Sequence, residues 1–333
     1  MTATPTPPAA PRATATPGDR WLLVALCVGL ALLMARAHVE NVDHPRLQKK
    51  LALHEAVLEN RAPDPYQYKL WTISWAVEGV ARATGLARDT LYGWNGFLSL
   101  LALLAAHARW LSRYAAPRDV LLGTLLLAAL AHGLFLDYYH HPYDLWGVAG
   151  FCLLLAAVAD GAGLAVRCGL GLAVGLVWEK HALVPAIWGL HALAAGRPFL
   201  RLLAPGAAFL ASCLVVPVTL RLALGTDRPL VDETPLAAQE WGKVLAHQLP
   251  YVLPFAVLLG AAWRRVPRLV RLSWLYVPVL YGLYAASEFI LHELRSFWAF
   301  APVFTATTVA WARALPADAV PHGGPEPRAG GGR

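Results

Sequence analysis

The chain is short of charge. Asp, Glu, Lys and Arg make up only 15% of its 333 residues, where a soluble domain carries about a quarter. That scarcity excludes an ordinary water-facing surface. Lysine is rarer still, since Arg outnumbers Lys 23 to 5. Together with abundant Ala, Gly and Pro, this ratio suggests a GC-rich bacterial genome. Cysteine is sparse and never paired. Cys27, Cys152, Cys168 and Cys213 all lie in apolar stretches, with no Cys-x-x-Cys, so neither a zinc site nor a disulfide framework is suggested. The apolar runs do not alternate with period two, which excludes a β-barrel. A phosphate-cradling Gly-rich loop, His-Glu-x-x-His and Gly-x-Ser-x-Gly are also missing, and with them the common soluble-enzyme signatures.

What is present is apolar sequence, 57% hydrophobic residues in runs that recur almost end to end. In hydrocarbon every backbone N–H and C=O must be satisfied within the chain, and unclosed segments manage this only as helices. The expected fold class is therefore all-α, a polytopic transmembrane helical bundle of about ten spans. The net charge is +7. Its arginines gather at segment ends, which fits anionic lipid and membrane topology rather than nucleic acid.

Hydropathy predicts spans at Trp21–Ala37, Leu91–Leu111, Val120–Leu136, Leu145–Ala159, Gly163–Val177, Ala182–Ala195, Leu203–Leu224, Leu249–Trp263, Trp274–Phe289 and Phe297–Ala312. The first is short, near the lower limit of about 17 residues. The pair at 163–195 is where the count is most open to error. Residues 1–18 and 315–333 read as disordered tails around a membrane domain at 19–314. An external loop at 38–90 contains a helical stretch, Pro45–Asn60. It also contains an amphipathic, aromatic one, Tyr66–Ala83, expected to lie flat at the interface or to be re-entrant. With the N-terminus in the cytoplasm, the arginine-rich loops at 109–118, 197–201 and 264–271 and the C-terminus all fall inside, as the positive-inside rule requires. The expected location is a bacterial inner membrane.

That topology gathers the polar knots on the outer face. The densest is Asp137-Tyr138-Tyr139-His140-His141-Pro142-Tyr143-Asp144, between two apolar runs. Carboxylates are costly in hydrocarbon unless they line a polar cavity, so this loop belongs at a boundary. Asp137, His140, His141, Tyr143 and Asp144 could bind substrate, or the acids and imidazoles could hold a divalent cation. The tyrosines alone would also suit an interfacial aromatic belt. Glu40 and Asp43, just past the first span, could serve as a general base tuned by His38 and His44, or as a solvated helix start. Glu179 and Lys180 interrupt an apolar stretch. They could grip a phosphate or simply pair in a turn. Glu293 and Arg295 have the same two readings, and the planar Arg fork suits phosphate. His107, His132 and His191 read as packing residues.

Three of these places carry a resemblance to the GT-C class of polytopic membrane glycosyltransferases and their uncharacterised bacterial relatives. They are the acidic pair Glu40 and Asp43, followed by an amphipathic external helix; Tyr139-His140-His141-Pro142-Tyr143-Asp144, similar to a Tyr-x-Tyr-Pro-Tyr-Asp element; and Glu293-Leu294-Arg295-x-Phe297, similar to a late Glu-x-Arg-x-Phe element. Asp64-Pro65-Tyr66-Gln67-Tyr68-Lys69 is similar to a Pro-x-x-Tyr-Arg stretch. Where relatives often carry Asn-Arg-Glu-Thr, this chain has Val177-Trp178-Glu179-Lys180, so Lys180 stands in for the lost arginine. The resemblance implies transfer of a sugar from a polyprenyl-phosphate carrier to an envelope acceptor on the outer face. Glu40 or Asp43 would deprotonate the acceptor. Lys180 and Arg295 would neutralise the leaving phosphate. Trp71, Trp75 and Tyr143 would line the groove. The alternatives are a multi-pass transporter, against which the lack of an inverted repeat counts, and a non-catalytic membrane component of an envelope assembly.

Overall fold

The computed structural model describes residues 16–41, 44–63, 66–137, 143–177, 180–224, 241–279 and 300–313. Among them every regular element is a helix. The elements are α1 (Pro17–Asn41), α2 (His44–Leu58), α3 (Tyr66–Lys69), α4 (Trp71–Thr84), α5 (Arg88–Leu111), α6 (Pro117–Asp137), α7 (Asp144–Ala159), α8 (Leu164–Gly175), a 3-10 turn (Lys180–Leu183), α9 (Val184–Ala194), α10 (Phe199–Leu224), α11 (Trp241–Ala262), α12 (Arg268–Ser273) and α13 (Ala301–Ala312).

Three of the described helices are long and apolar enough to cross a membrane, at Pro17–Arg36, Arg88–Leu111 and Phe199–Leu224. Shorter apolar helices run at Asp144–Ala159, Leu164–Gly175 and Leu249–Ala262. Leu33 on α1 is 67% exposed, and Leu200 and Leu222 on α10 are 78% and 79% exposed. A helix that shows apolar side chains outward as well as inward matches hydrocarbon, not water.

The first helix is longer than hydropathy predicts. Thr16 and Asp19 form a reciprocal cap: the Asp19 N–H donates to Thr16 Oγ1 at 3.2 Å, and the Thr16 N–H donates to Asp19 Oδ2 at 2.9 Å. With Pro17 in the first turn, this box starts the helix four residues before the apolar run, inside the stretch read as a disordered tail. The helix then continues to Asn41. Similarly, α11 begins at Trp241, inside the polar stretch 226–247 that hydropathy reads as loop. A fall in hydropathy marks where water begins, not where backbone hydrogen bonding stops.

Helix α5 is the axis of the bundle and packs against α1, α2, α4, α6 and α7. Leu100, Leu103, Leu104, His107 and Leu111 fall at helical spacing on its buried face. His107 is fully buried and hydrogen-bonded to Thr305 Oγ1 at 2.7 Å, in keeping with a packing histidine. Helices α8 and α10 meet through Gly171 and Gly175, a Gly-x-x-x-Gly pair. A Cβ on Gly171 would come within 2.8 Å of Ser212 Oγ and 2.9 Å of Cys213 Sγ.

Cross-element contacts sort the helix ends. Arg109 and Arg113 both donate to Asp160 Oδ2, at 3.1 and 2.6 Å. Arg313 joins Asp119 and the Tyr114 carbonyl. Arg268 Nη1 donates to the Ala194 carbonyl at 2.6 Å. The arginine-rich segments thus share one end of the bundle. At the other end, Thr72 Oγ1 donates to the Leu176 carbonyl at 2.6 Å, and Trp146 Nε1 donates to Asn95 Oδ1 at 3.0 Å.

Candidate functional site under the helical cap

Helices α2, α3 and α4 form a cap over the end of the bundle that lacks the arginine cluster. Helix α2 stops at Asn60, whose φ of 54° is left-handed. The Asn60 N–H donates to the Val57 carbonyl and the Arg61 N–H to the Ala56 carbonyl, at 3.1 and 2.7 Å. This is a Schellman closure, with Asn in the position Gly usually takes. Gln67, buried on α3, then stitches the turn. Its Nε2 donates to the Val57 carbonyl at 2.9 Å and its Oε1 accepts the Ala62 N–H at 3.0 Å. The buried amide adds a second bond to backbone groups that the turn already pairs, since the Ala62 N–H also donates to the Ala56 carbonyl at 3.1 Å.

Glu78 of α4 is the electrostatic hub of the cap. Its side chain is 6% exposed. Oε1 accepts from Arg82 Nε at 2.7 Å, and Oε2 accepts from Arg88 Nε at 2.9 Å. His54 of α2, fully buried, brings Nε2 to 3.5 Å from Oε2 and holds Nδ1 at 3.0 Å from the Tyr92 hydroxyl. Hydrogen bonds from Arg88 and then Arg82 push the Glu78 carboxyl down to about 2. Burial pushes the His54 imidazole below its ordinary value, so it stays neutral near pH 7. A carboxylate only accepts, so His54 donates from Nε2, and Tyr92 donates to Nδ1. Glu78 is therefore a clasp, ionised near neutral pH, that joins α2, α4 and α5. A general base needs a pKa near the working pH, and Glu78 is far from it.

Beside the clasp lies a cationic corner. Tyr68 of α3 has the Lys69 Nζ 5.7 Å and the Arg221 guanidinium 5.6 Å from its ring centroid. Lys69 is buried, at 8% exposure. Ring faces carry partial negative charge and hold cations at such distances. Arg221 comes from the last turn of α10, and the Thr72–Leu176 hydrogen bond brings α4 to the end of α8. The 3-10 turn that carries Lys180 packs against α7, α8 and α10. His181 in that turn is fully buried and donates from Nε2 to the Gly171 carbonyl at 3.0 Å.

Three sequence-predicted site residues have described side chains. Tyr143 is buried at 6% exposure just before α7, so it does not line an open groove. Asp144 is the first residue of α7 and Lys180 the first of the 3-10 turn, both half-buried. Glu40 lies in the last turn of α1, past the stretch Pro17–Arg36 that is long and apolar enough to cross a membrane, and Asp137 ends α6; only their backbones are described. Asp43, His140, His141, Glu179, Glu293 and Arg295 lie outside the described residues. Trp75 is 42% exposed, while Trp71, 6.5 Å from it, is half-buried against the core. Among the described residues no group of three or more His, Cys, Asp or Glu could hold a metal ion.

Sequence reading passed over His54, Glu78 and Arg88 as site members, because they are spread over three helices. Lys69 and Arg221 were also missed, although an arginine in the last turn of an apolar helix was a usable signal. Comparison with known proteins finds no matching family model, no matching curated protein and no matching solved structure.

Proposed function

We propose that the protein is a membrane glycosyltransferase-like enzyme of GT-C-like, about ten-span architecture. It transfers a sugar from a polyprenyl-phosphate carrier to an envelope acceptor on the outer face of a bacterial inner membrane, with both termini in the cytoplasm. The observation that carries this reading is the cationic corner under the cap. Lys69 and Arg221 flank the Tyr68 ring, and the turn that carries Lys180 packs against α10 and against α7, the helix that begins with Asp144. Developing negative charge on a leaving phosphate is best met by fixed cations in a site poor in water. A carboxylate, Glu40 or Asp43, takes the acceptor proton. Exposed Trp75 gives the lipid or sugar an apolar face. A divalent ion at the 137–144 loop would assist by the same electrostatic route.

Native mass spectrometry of the purified protein in lipid nanodiscs tests this reading. Wild type is expected to retain polyprenyl phosphate, and Lys180→Ala and Arg221→Gln to lose it. Absence of that lipid from all three samples would overturn the carrier-lipid assignment.

A further inference from the structure

The arginine-rich end holds a site of a different kind. Arg167 is the fourth residue of α8. It is 7% exposed, and its guanidinium lies 4.3 Å from the Trp188 ring centroid and 5.6 Å from that of Phe209. Its Nε and Nη1 are buried with no hydrogen-bond partner among the described residues. Beside it is a cavity of about 200 Å³, whose walls include Arg167, Trp188, His191, Ala192, Ala195 and Arg197. His191 stands one turn after Trp188 on α9, and its Nδ1 is likewise buried without a partner.

Removing an ionised group from water is costly unless a counter-charge and hydrogen bonds replace the solvent. Ring stacking holds the guanidinium in place but leaves its edge N–H groups unanswered. Of the acids at this end, Asp160 is occupied by Arg109 and Arg113, and Asp119 by Arg313. The remaining charged group on the cavity wall is Arg197, another cation. A ring-stacked guanidinium, an unpartnered imidazole nitrogen and a second arginine around one cavity form an anion receptor with no anion from the described residues.

We infer that this cavity binds a phosphoryl group, taken by the Arg167 fork with help from His191 and Arg197. Arg meets phosphate oxygens through paired, charge-assisted hydrogen bonds. The surroundings favour a phospholipid headgroup as its source. Val166, Phe199 and Leu200, neighbours of the two arginines in sequence, are 56%, 59% and 78% exposed, and such a rim suits acyl chains. This site lies at the opposite end of the bundle from the cationic corner, so either assignment can fail without the other.

The test uses the full chain in neutral detergent, titrated separately with phosphatidylglycerol, phosphatidylcholine and inorganic phosphate. Bound lipid is counted by native mass spectrometry, and stabilisation is followed by thermal shift. Wild type is expected to bind phosphatidylglycerol in preference to phosphatidylcholine. Arg167→Gln should weaken that binding about tenfold, the scale of a lost charge-assisted pair. Arg197→Gln, at the exposed rim, should weaken it by about threefold, while Arg201→Gln, exposed and outside the cavity wall, leaves it unchanged. Should Arg167→Gln fail to fold, the contrast between Arg197 and Arg201 still decides the matter. Stabilisation by inorganic phosphate that disappears in Arg197→Gln, without lipid binding, would support the phosphoryl site with a soluble source. Equal weakening in Arg197→Gln and Arg201→Gln, or equal affinity of wild type and Arg167→Gln, would overturn the site.

Discussion

The two ends of the bundle treat a buried charge in opposite ways. Glu78 is almost fully enclosed, yet each of its oxygens accepts from an arginine and His54 adds a third contact. Arg167 is also buried and has aromatic rings but, for Nε and Nη1, no acceptor among the described residues. Burial is thus the same on both sides of the comparison, and satisfaction is not. A satisfied buried charge is a fastener, because it holds only while its partners stay put. An unsatisfied one remains costly until something outside the described residues completes it.

The largest effects are expected from removing each of these two charges, and they differ in sign. Glu78→Gln keeps the shape but leaves Arg82, Arg88 and His54 without their carboxylate. Thermal or denaturant unfolding in detergent should show a loss on the order of 2 kcal/mol, held down because both arginines are partly in water. Arg167→Met, measured free of anionic lipid and phosphate, should instead stabilise the fold by about 1 kcal/mol, since it exchanges an unpaired buried charge for an apolar side chain of similar volume. A loss of stability in Arg167→Met would mean that the Trp188 and Phe209 contacts, or an acceptor, outweigh the cost of burying the charge.

A smaller effect separates the cap by pH. The His54 imidazole is depressed in the fold, so the unfolded chain binds its proton first. That contribution to stability is present above about 6.5 and declines as pH falls below it. The Glu78 carboxyl is also depressed, from 4.5 to about 2. Its contribution is complete above the unfolded value and is lost as pH falls toward about 2. Unfolding followed from pH 7 downward should therefore show stability falling first below about 6.5 and again below about 4.5. In Glu78→Gln the second decline should become markedly shallower. A single decline common to both proteins would remove Glu78 from the account.

Some features of this chain are properties of local composition. Long apolar runs without alternation dictate helices, because lipid offers the backbone no other partner. Arginines at segment ends announce which helix ends belong together, and Arg109, Arg113, Arg268 and Arg313 do meet partners across one end. Other features are legible only as short rules that hydropathy overrides. The Thr16–Asp19 box set the start of α1 where a count of apolar residues missed it. What only tertiary structure decided is which charges are buried and with what. His54, Glu78 and Tyr92 lie 24 and 38 residues apart in their pairs. Arg167 looks like an ordinary boundary arginine until the Gly171–Gly175 face draws α10 against α8 and brings Phe209 to its guanidinium, while α9 supplies Trp188. Burial and partnership depend on the packing of several helices at once, and no window along the chain contains that information.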